Sequence, residues 1–220
     1  MHILAVDTTT TNGSVAVAGD GVVIGEARVD SGRSYSVILL PAVASLLADL
    51  ALQVRDLDAY AVTAGPGSFT GLRVGISTVQ GLSLASGRPC LGVSALDVHA
   101  SRIAGESQTL VALMNAYRDE VYAGVYDAAG VPRAVPAVQA IEAVLGRVPA
   151  GAAFTGDAVA RYRKVIEAGC PGARFPERSA VLAGPLALLA SVRFAAGAGI
   201  SAEALRPLYL RVAEFRKSVQ

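Results

Sequence analysis

His2-Ile3-Leu4-Ala5-Val6-Asp7-Thr8-Thr9-Thr10-Thr11-Asn12-Gly13-Ser14-Val15-Ala16-Val17-Ala18 opens the chain as an apolar run ending in a carboxylate, a polar turn closed by Gly13, and an alternating run. Residues 2–7 read as a buried strand and 14–18 as a second one, and Asn12-Gly13 is a hairpin signal. Gly19-Asp20-Gly21 makes another turn and 22–29 a third strand, so the N-terminus reads as an antiparallel meander. A partial copy of this pattern lies in mid-chain. Residues 109–115 form an apolar run ending in Asn115, 116–119 a polar turn, and 120–127 alternate again.

The stretches between and after the two copies complete the pattern. A helix follows the meander, with Pro41 in its first turn and Val43, Leu46, Leu47 and Leu50 at i, i+3, i+4 and i+7. Residues 58–63 read as a buried strand, 70–85 as a helix, 90–93 as a strand and 95–104 as a helix. After the second hairpin come a helix over 139–145, a strand near 152–155 and helices over 157–168 and 182–196. The chain therefore divides into two similar α/β halves, 1–104 and 105–220, meeting near Gly105. A duplication with a hairpin after a strand-ending acid suits the duplicated RNase H-like fold of actin, sugar kinases and heat-shock ATPases (ASKHA). Such an architecture does not by itself fix the chemistry.

Composition narrows the class. At 220 residues the chain can bury a substantial core, and its hydrophobic content of 53% against 17% charged residues is high for a water-facing domain. The excess either covers both faces of a central sheet or lies on a surface that another protein covers. The longest apolar stretches, 37–52 and 181–200, are broken by Pro41 and Asp49 and by Pro185 and Arg193, and read as core helices instead of membrane spans. Net charge is +1 with scattered Lys and Arg, so the footprint of a protein gripping a phosphate backbone is missing; Arg161, Arg163 and Lys164 read as a solvated helix face. Cys90 and Cys170 belong to no C-x-x-C pair, which fits buried thiols in a reducing compartment. The first residues carry no signal-peptide pattern, and a cytoplasmic protein is expected.

Candidate chemistry can be weighed position by position. A phosphate turn wants Gly so that backbone N–H groups can approach the oxygens, whereas Asp7 is followed by Thr8, Thr9, Thr10 and Thr11. The second half offers Asn115, a weaker ligand for Mg²⁺ than a carboxylate. Asp7, Thr8, Thr9 and Thr10 thus form a degenerate phosphate turn, or a hairpin loop whose hydroxyls bond its own backbone. His2 and His99 make no H-E-x-x-H site, and no G-x-S-x-G elbow is present. Ser94 with Asp97 and His99 reads as an ordinary helix start with Ser94 as N-cap. No catalytic residue and no metal site is expected.

The most specific stretch is Ala64-Gly65-Pro66-Gly67-Ser68-Phe69-Thr70-Gly71-Leu72-Arg73-Val74-Gly75-Ile76-Ser77, a tight turn followed by a helix that Ser68 or Thr70 can cap. Together with Gly92-Val93-Ser94, Asp7-Thr8-Thr9, Leu39-Leu40-Pro41, Glu120-Val121-Tyr122 and Pro207-Leu208-Tyr209-Leu210-Arg211, it resembles the TsaB (YeaZ) family over nearly the whole chain. The resemblance implies a non-catalytic partner in the machinery that makes threonylcarbamoyladenosine in tRNA. It implies pairing with a TsaD-type catalytic subunit, a TsaE-type ATPase as further partner, a homodimer when alone, and tRNA met only through the complex. No resident cofactor is implied, with nucleotide possible at the partner junction. The family usually writes His-Ser-Glu and Asp-Ala-Arg where this chain has Tyr35-Ser36-Val37 and Asn115-Ala116-Tyr117. TsaD carries an H-x-x-x-H metal pair whose matching positions here are Ala95 and His99, so one ligand of two survives.

On the 70–85 helix, Leu72, Ile76 and Val79 make an apolar stripe beside Gly71 and Gly75, small residues that let another helix come close. The preceding helix adds Leu39 and Leu46. Periodicity allows either internal packing or docking, and the resemblance favours docking, so Leu39, Leu46, Gly71, Leu72, Gly75, Ile76 and Val79 are the expected partner interface. The alternatives are an ATP-dependent kinase or acyl transferase of the ASKHA fold, or a peptidase-like protein.

Overall fold

The computed structural model describes residues 1–30 and 34–210. Arg211, quoted above in the C-terminal motif, lies outside them. In chain order the elements are β1 (His2–Asp7), β2 (Asn12–Gly19), β3 (Val22–Asp30), α1 (Tyr35–Asp49), β4 (Ala59–Gly65), α2 (Phe69–Ser86), β5 (Cys90–Ser94) and α3 (Ala95–Ser101). There follow β6 (Thr109–Asn115), β7 (Glu120–Asp127), β8 (Ala137–Ala140), α4 (Ile141–Leu145), β9 (Ala153–Thr155), α5 (Val159–Gly169) and α6 (Ala183–Ala195).

Strands β1 to β5 build one sheet in the order β3-β2-β1-β4-β5, and β6 to β9 a second in the order β8-β7-β6-β9. In each, the first strand of its half pairs antiparallel with the next and parallel with a later one: β1 with β2 and β4, β6 with β7 and β9. The duplication read from the two hairpins is thus present in the hydrogen-bonding pattern. The second meander has its third strand in β8, which takes up residues assigned above to a loop and a helix start. With Ala137, Val138, Gln139 and Ala140 alternating only weakly, nothing local marks it as a strand; its pairing with β7 does.

High apolar content is explained by sheets covered on both sides. In β1, Leu4 and Val6 face α1 and α2 in a cluster with Val43, Leu47, Ile76 and Val79, while Ile3 and Ala5 face α6 with Leu182, Leu186 and Ala190. α3 places Ala95, Leu96 and Ala100 against Leu110, Ala112 and Met114 of β6. Although α6 follows the second sheet in sequence, it packs on β1, β2 and β3 of the first. The boundary near Gly105 therefore separates the strands but not the helices. Pro41 is also not in the first turn of its helix, because α1 starts at Tyr35.

Candidate functional site

A cleft of about 520 Å³ opens between the halves where the carboxyl ends of β1 and β6 face each other. The 8–12 turn supplies Thr9, Thr10 and Thr11, the start of α2 supplies Ser68, Thr70 and Gly71, and the second half supplies Asn115, Tyr117 and Asp157. Asp7 is fully buried behind this wall. Its Oδ1 accepts from the Thr9 amide (3.2 Å), the Thr9 hydroxyl (2.7 Å) and the Thr63 hydroxyl (2.6 Å), whereas Oδ2 has no protein partner among the described residues. Burial raises the Asp7 carboxyl above the usual carboxylate range, against the lowering pull of those donors.

The turn turns its polar groups inward. Thr9 N–H is taken by Asp7, Asn12 N–H donates to Thr10 Oγ1 (3.1 Å), and Gly13 N–H donates to the Tyr35 hydroxyl (2.9 Å), which in turn donates to the Thr10 carbonyl (2.6 Å). Thr8 Oγ1 donates to the Gly71 carbonyl (2.8 Å), and Ser68 N–H to the Thr9 carbonyl (2.7 Å). The amides of Thr9, Asn12 and Gly13 are therefore spent on the chain itself. Ser68 is the N-cap of α2, accepting from Gly71 N–H (3.2 Å). Ser94, by contrast, heads α3 without a side-chain cap bond.

Asp157 is the site residue that the sequence did not single out. It follows the short strand β9, and its Oδ1 accepts from the Asn115 amide (3.0 Å) across the mouth of the second sheet. Enclosure by the cleft walls raises its carboxyl, and the charge of Asp7 adds to the rise. An acid after a Thr-Gly pair carries no recognisable spacing, so only the register of β6 on β9 brings it to the cleft. Among the described residues no three His, Cys, Asp or Glu side chains gather in a metal-holding group. With no glycine to bare its backbone and the Thr9 and Asn12 amides taken by the chain itself, the turn does not fit the Mg²⁺–nucleotide that the fold class suggests.

The seven residues expected at a partner interface lie elsewhere than anticipated. Leu39, Leu46, Leu72, Ile76 and Val79 are buried in the protein's own core, at 1, 5, 1, 5 and 0% exposure. A Cβ on Gly71 would stand 2.0 Å from the Thr8 carbonyl oxygen, and one on Gly75 would stand 2.4 Å from Thr8 Oγ1. These two glycines admit the 8–12 turn, not a partner helix. The physical reason is that α1 and α2 are apolar on two sides, and periodicity alone does not tell which side meets the sheet.

The family model for TsaD, tRNA N6-adenosine threonylcarbamoyltransferase, matches residues 14–181. The solved structure of YeaZ from Pseudomonas aeruginosa is 32% identical, with a TM-score of 0.75 over 95% of this chain and 99% of that one. The chain belongs to the TsaB/YeaZ branch of the TsaD family. The TsaB proteins of Escherichia coli (39% identity over 57% of this chain) and Bacillus subtilis (33% over 57%) match as well. The chain spans about half the length of these curated relatives, 55% of each. A component of (R)-2-hydroxyglutaryl-CoA dehydratase from Acidaminococcus fermentans, 13% identical with a TM-score of 0.56 over 89% of this chain and 99% of that one, shares the fold alone. The duplicated ASKHA-type architecture read from the sequence is thus shown.

The departures from the TsaB pattern now have a structural account. Tyr35, where the family writes His, clasps the 8–12 turn through its hydroxyl, and its ring fills the space beside Gly13. Val37, in place of Glu, stands 62% exposed on α1. Asn115 Oδ1 accepts from Tyr117 N–H (3.0 Å), and Tyr117, Arg118 and Asp119 then run in succession at positive φ. His99 is buried beside Ala95 with neither ring nitrogen bonded among the described residues.

Asp7→Asn tests whether the buried acid is a liability. An acid whose folded pKa is raised stabilises the fold fully below its unfolded value, and that contribution is lost as pH rises through the folded value. Asn keeps the Oδ1 acceptor without the charge. At pH 8 the variant should therefore melt a few degrees above wild type, the gap closing toward pH 4, read by thermal denaturation at both. A loss of the same size at both pH values would show that Asp7 is held by something other than burial.

Proposed function

We propose that the chain acts as a non-catalytic, activating subunit in the synthesis of threonylcarbamoyladenosine next to the tRNA anticodon, the pathway in which the TsaB relatives are named. The observation that carries this reading is the 8–12 turn, in which four threonines stand where glycines would bare the backbone and the Thr9 and Asn12 amides are taken up by Asp7 and Thr10. With positioning and electrostatics supplying nearly all phosphoryl-transfer catalysis, such a turn supports a partner role over a kinase or acyl-transferase role. Nothing in the site favours a peptidase.

The partner is a TsaD-type subunit, docking on the outer faces of α1 and α2. Those faces carry Val37 (62% exposed), Leu40 (55%), Phe69 (50%) and Leu84 (59%) around a groove of about 520 Å³ between the helices, lined by Leu40, Arg73, Ser77 and Gly81. Exposed apolar side chains beside an apolar groove are what a protein-binding surface offers. The same face serves a homodimer when the chain is alone. A TsaE-type ATPase joins the assembled complex, any nucleotide lies at the subunit junction, and tRNA is met through the complex, in keeping with the net charge of +1. No helix among the described residues is long and apolar enough to cross a membrane.

Gly81→Glu is the test. A Cβ on Gly81 meets no heavy atom within 4 Å, and Glu is favoured over Gly in a helix by somewhat under ~1 kcal/mol, so the free chain should melt no lower than wild type. A carboxylate in the apolar groove should weaken TsaD-type binding about tenfold or more, some ~1.4 kcal/mol per decade, and lower modified tRNA in cells depleted of the native subunit. Unchanged binding in a folded variant would remove α1 and α2 as the docking face.

A further inference from the structure

A second cavity, of about 410 Å³, lies where the end of α3, the start of α5 and the segment 175–182 meet, and it shares Thr10 and Asp157 with the wall of the cleft. Its floor is aromatic. Phe154 and Phe175 stack with centroids 6.0 Å apart, and the Arg163 guanidinium lies 4.3 Å from the centre of the Phe175 ring. Its polar side is incompletely satisfied. His99, 6% exposed, lines the cavity with neither ring nitrogen bonded among the described residues, a state that costs about 1–3 kcal/mol for a buried polar group. Arg102 beside it donates to the Ser179 carbonyl but forms no ion pair among the described residues. Burial lowers the Arg102 pKa and the charge of nearby Arg178 adds to the lowering, against the pull of Glu26; Arg178 itself bonds the Arg102 carbonyl (2.9 Å), the Glu177 carbonyl (2.8 Å) and, as an ion pair, Glu106 (2.5 Å).

Two neighbouring guanidiniums and a neutral imidazole make a receptor for an oxyanion. Arginine forks match phosphate oxygens in paired hydrogen bonds, and a neutral imidazole offers one donor and one acceptor, the latter suited to a protonated phosphate hydroxyl. A dianion offsets the repulsion between Arg102 and Arg178 better than a carboxylate with its single charge. The lining also holds the acids Asp157 and Glu177 beside three arginines, of which Arg163 is tied to Glu167 (2.9 Å) and Arg178 to Glu106 (2.5 Å), so that Arg102 is the lining arginine without an ion pair among the described residues. The volume falls within the roughly 300–1,000 Å³ of small-molecule sites, which leaves room for more than the phosphate. We propose that this cavity binds a small phosphorylated molecule, with the phosphate between Arg102, Arg178 and His99 and the remainder against Phe154 and Phe175. The site is separate from the docking face of α1 and α2 and does not rest on the partner reading.

The chain has two histidines, so imidazole NMR of the full protein gives a readable spectrum of His2 and His99. Titration with inorganic phosphate at pH 7.5, at ionic strength held constant with sodium chloride, should shift the His99 signals saturably and leave those of His2 in place. Phenyl phosphate should bind at least about threefold tighter, since its ring reaches the aromatic floor. Arg102→Gln and, on the exposed segment, Arg178→Gln should each weaken phosphate by about tenfold or more, with melting curves without phosphate confirming that each is folded. A His99 shift that never saturates, that chloride reproduces, or that survives in both folded variants overturns the site. Phenyl phosphate binding no tighter than phosphate removes the aromatic half of it.

Discussion

Gly71→Leu should lower the melting temperature of the isolated chain by about 5–12 °C. A Cβ at this position would sit 2.0 Å from the Thr8 carbonyl oxygen and 3.3 Å from Ser68 Cβ, so even Gly71→Ala should register a loss. The obstacle is backbone, which cannot rotate away as a side chain does, and Thr8 is held there by its own bond from Oγ1 to the Gly71 carbonyl. Overpacking of this kind costs roughly 1–3 kcal/mol, here at the upper end, and each kcal/mol moves the transition by about 2–4 °C in a chain of this size. The gain in helix propensity on leaving Gly, under ~1 kcal/mol, is too small to reverse the sign. Thermal denaturation of Gly71→Leu beside Gly81→Glu makes the comparison direct, because the two glycines lie on one helix with opposite surroundings. If both variants melted like wild type, the close approach of the 8–12 turn to α2 would be wrong.

Acid should weaken the wild-type protein through His99, and His99→Met should remove that part of the weakening. Burial, with the charge of Arg102 adding to it, holds the His99 pKa down at about 3 against an ordinary 6.5. A group with a depressed folded pKa contributes stability that is complete above its unfolded pKa. That stability is lost as pH falls from 6.5 through the folded value, since the unfolded chain takes up a proton that the folded chain refuses. Each pH unit in that window corresponds to about 1.4 kcal/mol, so moving from pH 6.5 to 4.5 costs wild type about 3 kcal/mol that the variant keeps. Asp7 and Asp157, whose carboxyls are raised, move stability the other way over this range in both proteins and drop out of the comparison. At pH 7.5 the variant should melt at or above wild type, because an unbranched thioether fills the site without leaving two buried nitrogens unbonded. By pH 4.5 the variant should lead by roughly 5–10 °C. Parallel losses in the two proteins would place the acid sensitivity elsewhere.

Much of this molecule was determined along the chain. The strand-turn-strand pattern of residues 2–18, its copy at 109–127, and the Gly65-Pro66-Gly67 turn into a helix capped by Ser68 are local facts of period, turn chemistry and capping, and each reappears in the structure.

Tertiary structure decided what lies on which side. Leu72, Ile76 and Val79 form one stripe of α2 and the groove beside Gly81 another, and both are open to an apolar partner by periodicity; only the seating of Thr8 against Gly71 and Gly75 shows which stripe the sheet takes. The same limit hid Asp157, which reaches the cleft through the pairing of β6 with β9, residues more than forty positions apart. It also hid α6, which follows the second sheet in sequence and covers the first. Contacts at such separations are chosen by packing among the elements of a whole domain, where one apolar face serves as well as another until the partners are in place. A pattern read within a single helix or strand carries no information about that choice.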